Sequence, residues 1–394
     1  MGLLQRKKLA IERKLKNKKN PIVCLYCFKS FAEDRVMFRA LESIDAQGYR
    51  AEYDILLDEY RAKFHLESKE EMPVVLDPDY FKEVNKGYHL GVLSSLTDDY
   101  NNITTKRVCP YCHNDISKTA GVSPLNIVSI VGARGTGKTT FMTSLIHILK
   151  SVTSHHFNIF CTPLNSEIGK KFKTQFEQPL VQNGKLSIDA MSVNEPIVFT
   201  ITFSDTLTEI HIVCFELFDH THEEIYSSLL RNSKGLIFLV DPTKLRGISS
   251  RFDIVDMDIV KEVFEDQSDA LIDLTYSITS EDIPLAVVLS KSDMLNTLKG
   301  DILNSDSVFF ENKIHKGQFD IIDFEKLHYE CDAFLFKADP NLRNAIRTNF
   351  GNIGFFACSS MGASSEDIAA RKEDFAPRRV DEPLLWIMYQ LGLI

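Results

Sequence analysis

The amino-acid sequence predicts a doubly wound α/β domain on a mostly parallel sheet, with a zinc-binding module ahead of it. Three observations carry this. Residues 236–240, 285–289 and 353–357 are continuous apolar runs separated by helical stretches, the pattern of parallel strands buried on both faces. Gly132-Ala133-Arg134-Gly135-Thr136-Gly137-Lys138-Thr139 fits G-x-x-x-x-G-K-[ST] between a β-branched run at 125–131 and apolar residues at helical spacing over 141–150. Two C-x-x-C pairs, Cys24/Cys27 and Cys109/Cys112, precede that strand.

A strand, a glycine loop and a helix N-terminus aim backbone N–H groups and the positive end of a helix dipole at an anion. Gly132, Arg134, Gly135, Thr136, Gly137, Lys138, Thr139 and Thr140 are therefore the candidate phosphate ligands. Lys138 is expected to reach the β- and γ-phosphates, and the Thr139 hydroxyl to ligate Mg²⁺. The stretch is read as a nucleotide site.

At 394 residues the chain suggests two or three domains. The net charge of −10 argues against a surface that coats nucleic acid throughout. The sequence contains no apolar run of membrane-span length and no signal peptide, and Met1-Gly2 lacks the Ser or Thr that myristoylation prefers. Eight cysteines, four of them in C-x-x-C pairs, point to metal ligation in a reducing cytoplasm rather than to disulfides. The first twenty residues hold eight Lys or Arg against one Glu. This basic arm could touch nucleic acid, an acidic partner or anionic lipid, or be a solvated helix. The expected division is an arm over 1–21, a zinc-knuckle module with an insertion over 22–122, and the α/β domain over 123–394 with a helical insertion at 296–350.

Each C-x-x-C makes a tight knuckle whose thiolates can share a tetrahedral ion. Cys24, Cys27, Cys109 and Cys112 are expected to hold one structural zinc, with His113 a bystander. Between the pairs, 52–61 reads as a helix and 75–105 as irregular structure without chemistry. Beyond the phosphate loop, 157–160 suggests a strand, 166–182 a charged amphipathic surface helix, and 196–203 with 209–218 a hairpin.

The order of motifs resembles the translation-factor-related P-loop GTPases, the class that includes the Ras-like fold. Besides the phosphate loop, Asp219-His220-Thr221-His222 stands where that family carries D-x-x-G, Ser290-Lys291-Ser292-Asp293 where it carries [NT]-K-x-D, and Cys358-Ser359-Ser360 where it has its S-A-x loop. The resemblance implies Mg²⁺ held through Asp219, guanine read by Lys291 and Asp293, and a base loop at Ser359 and Ser360. A carboxylate accepts two hydrogen bonds from guanine N1–H and the 2-amino group, which adenine cannot offer. The sequence departs from the family at His222, which replaces the glycine, at Glu223, which replaces the water-orienting glutamine, and at Ser290. No persuasive switch threonine appears, Ser187 and Ser192 being the nearest substitutes. His222 and Glu223 are candidates to position water, and Arg134, Arg246 or Arg251 to act as an arginine finger. With the cysteine module and the closing segment at 379–386, the chain looks like the bacterial double-GTPase group, proposed to act in multi-protein systems, some in defence. The implied activity is that of a GTP-binding switch with slow Mg²⁺-dependent hydrolysis, cycling between GTP and GDP and acting with protein partners. An ATP-using P-loop enzyme, a nucleotide-regulated nucleic-acid-binding zinc protein and a pseudo-GTPase are the alternatives.

Overall fold

The computed structural model describes residues 20–41, 48–117, 119–186, 195–206, 208–215, 222–252, 267–278, 282–362 and 374–394. The chain forms two compact units, one of residues 1–125, 205–209 and 217–232, the other of 126–204, 210–216 and 233–394.

The larger unit is built on a mixed, mostly parallel sheet of seven strands. In chain order these are β1 (Leu125–Val131), β2 (Ile159–Pro163), β3 (Ile197–Phe203), β4 (Glu209–Cys214), β5 (Ser233–Val240), β6 (Leu285–Leu289) and β7 (Ile353–Ala357). Their spatial order is β2-β3-β4-β1-β5-β6-β7. β5 runs parallel to both β1 and β6, and β6 parallel to β7. β2 pairs antiparallel with β3 at one edge. Every residue of β6 and nearly every residue of β5 is buried, which matches their unbroken apolar sequences. The closing helix Glu382–Gln390 is buried over Glu382–Met388, and a Cβ on Gly354 of β7 would lie 2.9 Å from the Trp386 ring. Glycine is what lets that indole approach the strand backbone.

The segment 296–350 is the crossover that returns the chain from β6 to β7, and it carries two helices, Ile321–Ala338 and Pro340–Asn349. The strand expected at 157–160 begins instead at Ile159, because Asn158 takes φ of +52° and ends the helix before it. The helix expected over 166–182 forms, with a wider turn over Phe172–Glu177. That turn keeps Ile168, Phe172, Phe176 and Leu180, four residues apart, on one buried face. The opposite face, with Glu167, Lys173 and Thr174, is exposed, as an amphipathic surface helix requires.

In the smaller unit, Met37–Arg39 pairs with Val75–Leu76 on one side and Arg107–Val108 on the other. The helix Ile55–Lys63 starts at Asp54, whose carboxylate accepts from the Leu57 N–H. The stretch 75–105, expected to be irregular, contains an antiparallel meander of Lys86–His89, Val92–Thr97 and Ile103–Thr104. Its hairpin closes on Leu90-Gly91, with φ of +52° and +87°. Two positive φ values are what a two-residue hairpin loop requires. The Asp98 carboxylate fixes the second turn by accepting from the Tyr100 and Asn102 N–H groups.

His211 of β4 is buried, its Nδ1 lying 3.0 Å from the Thr200 hydroxyl, and burial lowers its pKa to about 4. Between that value and the usual one near 6.5 the unfolded chain binds a proton that the folded chain refuses, so stability falls as pH drops through this window. Thermal melting of the wild type should decline from about pH 6.5 toward 4, and His211→Gln should flatten that part of the profile. An unchanged slope in the variant would assign the acid sensitivity to other groups.

Candidate nucleotide site and cysteine cluster

The loop after β1 turns on glycines. Gly132, Gly135 and Gly137 have φ of 142°, 79° and 90°, values that side-chain-bearing residues rarely adopt. A Cβ on Gly132 would also lie 2.6 Å from the Leu239 carbonyl oxygen of β5. The helix Lys138–Ile148 starts directly after Gly137, so its first N–H groups face the loop. The Lys138 ammonium is buried within the loop and donates to the carbonyls of Gly132 at 2.8 Å and Ala133 at 2.9 Å. Thr136 Oγ1 donates to the Ala133 carbonyl at 2.9 Å, whereas Arg134 is exposed. The Thr139 and Thr140 carbonyls accept from the Thr143 and Ser144 hydroxyls one turn on.

The loops after β6 and β7 meet this one. The Ser290 hydroxyl lies 2.9 Å from the Thr136 carbonyl and 3.1 Å from that of Val240, tying the phosphate loop to the end of β5. The Ser290 side chain thus braces the glycine loop against the end of β5. Lys291 adopts φ of +53°; its Nζ lies 2.6 Å from Asp241 Oδ2 and 3.4 Å from the Gly135 carbonyl. Asp293 Oδ1 accepts from the Ser359 hydroxyl at 2.5 Å, and the Ser359 oxygen accepts from the Gly362 N–H. The Ser360 carbonyl accepts from the Ser144 hydroxyl at 2.5 Å, which links the β7 loop to the helix after the phosphate loop. Residues of three distant stretches, 132–140, 290–293 and 359–360, are therefore hydrogen-bonded to one another.

Two supports were not legible as motifs. Asp241, just past the last residue of β5, carries a fully buried carboxylate beside Lys291. Burial pushes the nearby Lys244 amine down to about 8, against the pull of Asp241 and with the repulsion of Lys291 and Lys138. Arg379 is buried at φ of +54° and donates to Asp323 at 2.8 Å and to Glu382 at 2.9 and 3.0 Å. The neighbouring Arg378 exchanges backbone hydrogen bonds with Ser359, so these ion pairs anchor the loop after β7. Asp-Pro after an apolar run was the available signal for Asp241; the Arg379–Asp323 contact joins residues 56 apart and had none.

Asp219, Ser187 and Ser192 lie outside the described residues, as does the basic arm up to residue 19. His222 and Glu223 belong to the smaller unit. His222 is buried, stacked on Phe64 at 4.9 Å between ring centroids, with Nε2 at 2.9 Å from the Lys63 carbonyl. Glu223 opens the helix Glu223–Asn232, in which Glu224 pairs with Lys29 at 2.9 Å and Asn232 donates to the Phe28 carbonyl. Arg251 is paired with Asp301.

In the same unit Cys24, Cys27, Cys109 and Cys112 come together, all four sulfurs within 4.8 Å of one another and all buried. The two knuckles share one design. The N–H two residues after the first cysteine of each, Tyr26 and Tyr111, points at that cysteine's sulfur at 3.4 Å. The residue after each second cysteine, Phe28 or His113, takes φ near +50° and returns its N–H to the first cysteine's carbonyl. Two sulfur pairs sit 3.6 and 3.8 Å apart, and no cysteine forms a disulfide. Four convergent soft donors with backbone N–H groups directed at sulfur fit a metal ion such as zinc. Neighbouring thiols donate to Cys27 and hold its pKa down, while burial pushes Cys24 up. His113 is engaged elsewhere: its Nδ1 lies 2.8 Å from Asp54 Oδ1, and Arg39 holds the other Asp54 oxygen at 2.8 Å. Burial raises the Asp54 pKa, but those hydrogen bonds outweigh it and bring it down to about 2.

No family model matches the chain. Over 319 residues it is 22% identical to the "Putative ESX-1 scaffolding and assembly protein SaeC" of Mycolicibacterium smegmatis, an alignment covering 73% of this chain and 80% of that protein. Among solved structures it is similar to the S. cerevisiae Ski7 GTPase-like domain bound to GDP and inorganic phosphate, at a TM-score of 0.31 and 11% identity. That superposition covers 60% of this chain and 43% of the Ski7 chain, less than half of the latter.

Elemental analysis should find one zinc per chain. Cys109→Ser with Cys112→Ser should lose it and unfold the smaller unit first, since structural zinc contributes on the order of 10 kcal/mol to small metal-held folds. Metal-free protein of unchanged thermal stability would count against a shared site.

Proposed function

We propose that the chain is a guanine-nucleotide-binding switch that acts within a multi-component protein assembly. One observation carries the nucleotide reading: the loops that follow β1, β5, β6 and β7 all leave the C-terminal ends of adjacent parallel strands and are bonded to one another by short polar contacts. Open parallel sheets bind ligands at that end. The loop after β1 carries the phosphate-binding chemistry, and the loops after β6 and β7 carry a paired carboxylate and hydroxyl suited to a base edge.

In this reading the N–H groups at the start of helix Lys138–Ile148 and the Lys138 ammonium offset phosphate charge. Thr139 and Asp219 would hold Mg²⁺, which when bound would offset phosphate charge. Asp293, oriented by the Ser359 hydroxyl, accepts from guanine N1–H and the 2-amino group, while the Lys291 stem lies along the purine. Slow hydrolysis is the fitting expectation, because the His222 ring is engaged with Phe64 and the Lys63 carbonyl. The cysteine cluster holds a structural zinc. A relative described as a scaffolding and assembly protein supports partners that are proteins. The basic arm offers them, or nucleic acid, a charged contact.

Competition titration of GTP, ATP and xanthosine triphosphate tests the base assignment. Asp293→Asn presents a donor to a donor, and an unpaired buried polar contact costs about 1–3 kcal/mol, so GTP affinity should fall about tenfold or more. Affinity for xanthosine triphosphate should rise relative to GTP, and that for ATP should stay as it was. A wild type that prefers ATP, or a GTP-to-ATP ratio untouched by the substitution, would reduce the protein to a P-loop nucleotide binder of another base preference.

A further inference from the structure

We propose that Asp241 is a positioning residue of the nucleotide site, fixing the Lys291 ammonium so that the lysine stem, rather than its charge, is presented to the purine. The inference rests on the guanine-nucleotide reading above and adds a residue that none of its motifs contains. Asp241 follows the last residue of β5, between the phosphate loop and the loop that carries Lys291 and Asp293. Its carboxylate is held on every side. Oδ1 accepts from the Thr243 N–H at 3.0 Å and the Thr243 hydroxyl at 2.7 Å, while Oδ2 faces Lys291 Nζ at 2.6 Å. Its backbone is clamped by one buried side chain, since the Asp241 N–H donates to Gln267 Oε1 at 2.6 Å and Gln267 Nε2 donates to the Asp241 carbonyl at 3.2 Å.

The carboxylate is fully buried, whereas the Lys291 side chain is 38% exposed. The anion is thus the fixed partner and the lysine the one that is placed. Lys291 itself sits at φ of +53°, a conformation that costs a side-chain-bearing residue on the order of 1 kcal/mol or more and persists where surroundings impose it. Those surroundings are the Asp241 pair, the Gly135 carbonyl at 3.4 Å and the Ser292 N–H bonded to the Cys358 carbonyl at 3.1 Å. With its ammonium tied at both Asp241 and the phosphate loop, the lysine has only its methylene stem left to offer along the site. Charge makes the same demand. Lys138 and Lys291 both disfavour the charged form of the Lys244 amine, and the Asp241 carboxylate opposes them there. Without it, the Lys291 ammonium would be drawn to a bound phosphate chain.

The test is a double-mutant cycle on the full chain, read as GDP affinity by titration calorimetry in Mg²⁺ buffer. Asp241→Asn keeps the shape and the acceptor for Thr243 but removes the charge. It should weaken GDP about tenfold in the wild-type background, as losing a buried charge-assisted hydrogen bond does. In a Lys291→Met background, which keeps an unbranched stem but has no ammonium to hold, the same substitution should change affinity less than about twofold. Equal losses in the two backgrounds would show that Asp241 serves only its own turn, and would overturn the proposal. Lys291→Met alone leaves the Asp241 turn intact and should itself weaken GDP by a similar factor. Unchanged affinity in that variant overturns the proposal too, even if Asp241→Asn does not fold. A wild type that binds no guanine nucleotide would instead sink the reading on which the proposal rests.

Discussion

The short polar ties between neighbouring strand ends are the constraint on which the larger unit's chemistry depends. A glycine loop with three positive φ values has little intrinsic preference for one shape. Here it is held by the Ser290 hydroxyl on the Thr136 carbonyl, by Lys138 on the Gly132 and Ala133 carbonyls, and by Lys291 beside Gly135. The rigid sheet beneath supplies fixed anchor points, because β1, β5 and β6 are buried and in parallel register. Preorganisation of this kind lets backbone dipoles face a charged ligand without a reorganisation cost at binding.

The loop after β7 depends on a second layer of charge. Arg379 and Glu382 are buried and paired, and Arg379 also bonds the half-buried Asp323. Breaking one member of such a cluster leaves an uncompensated charge, so it holds geometry more firmly than its net contribution to stability would suggest. Arg378 passes that rigidity to Ser359, and Ser359 passes it to Asp293.

The smaller unit solves a different problem. Its strands are mostly two or three residues long, too short to organise a core by themselves. Two matching cysteine knuckles and the Arg39–Asp54–His113 network join segments that lie far apart in the chain. The helix Glu223–Asn232 belongs to this unit although the strands on either side of it belong to the seven-stranded sheet.

The sequence by itself made legible the strands of the sheet, the glycine loop after β1 and the two cysteine knuckles. Each is a local signal: an apolar run, a glycine spacing with Lys and Thr, a repeated Cys-x-Tyr-Cys. The fold class and the positions of β1, β6 and β7 were legible for that reason. The meander at 86–104 was not, because its strands are short and polar and its register is set by two turns with positive φ. Tertiary structure alone decided which partners Lys291, Asp293 and Arg379 take, and that His222 stacks on Phe64. A side chain's residue type states what bonds it can make; which of them it makes depends on strands and loops brought close by burial of surfaces elsewhere in the chain.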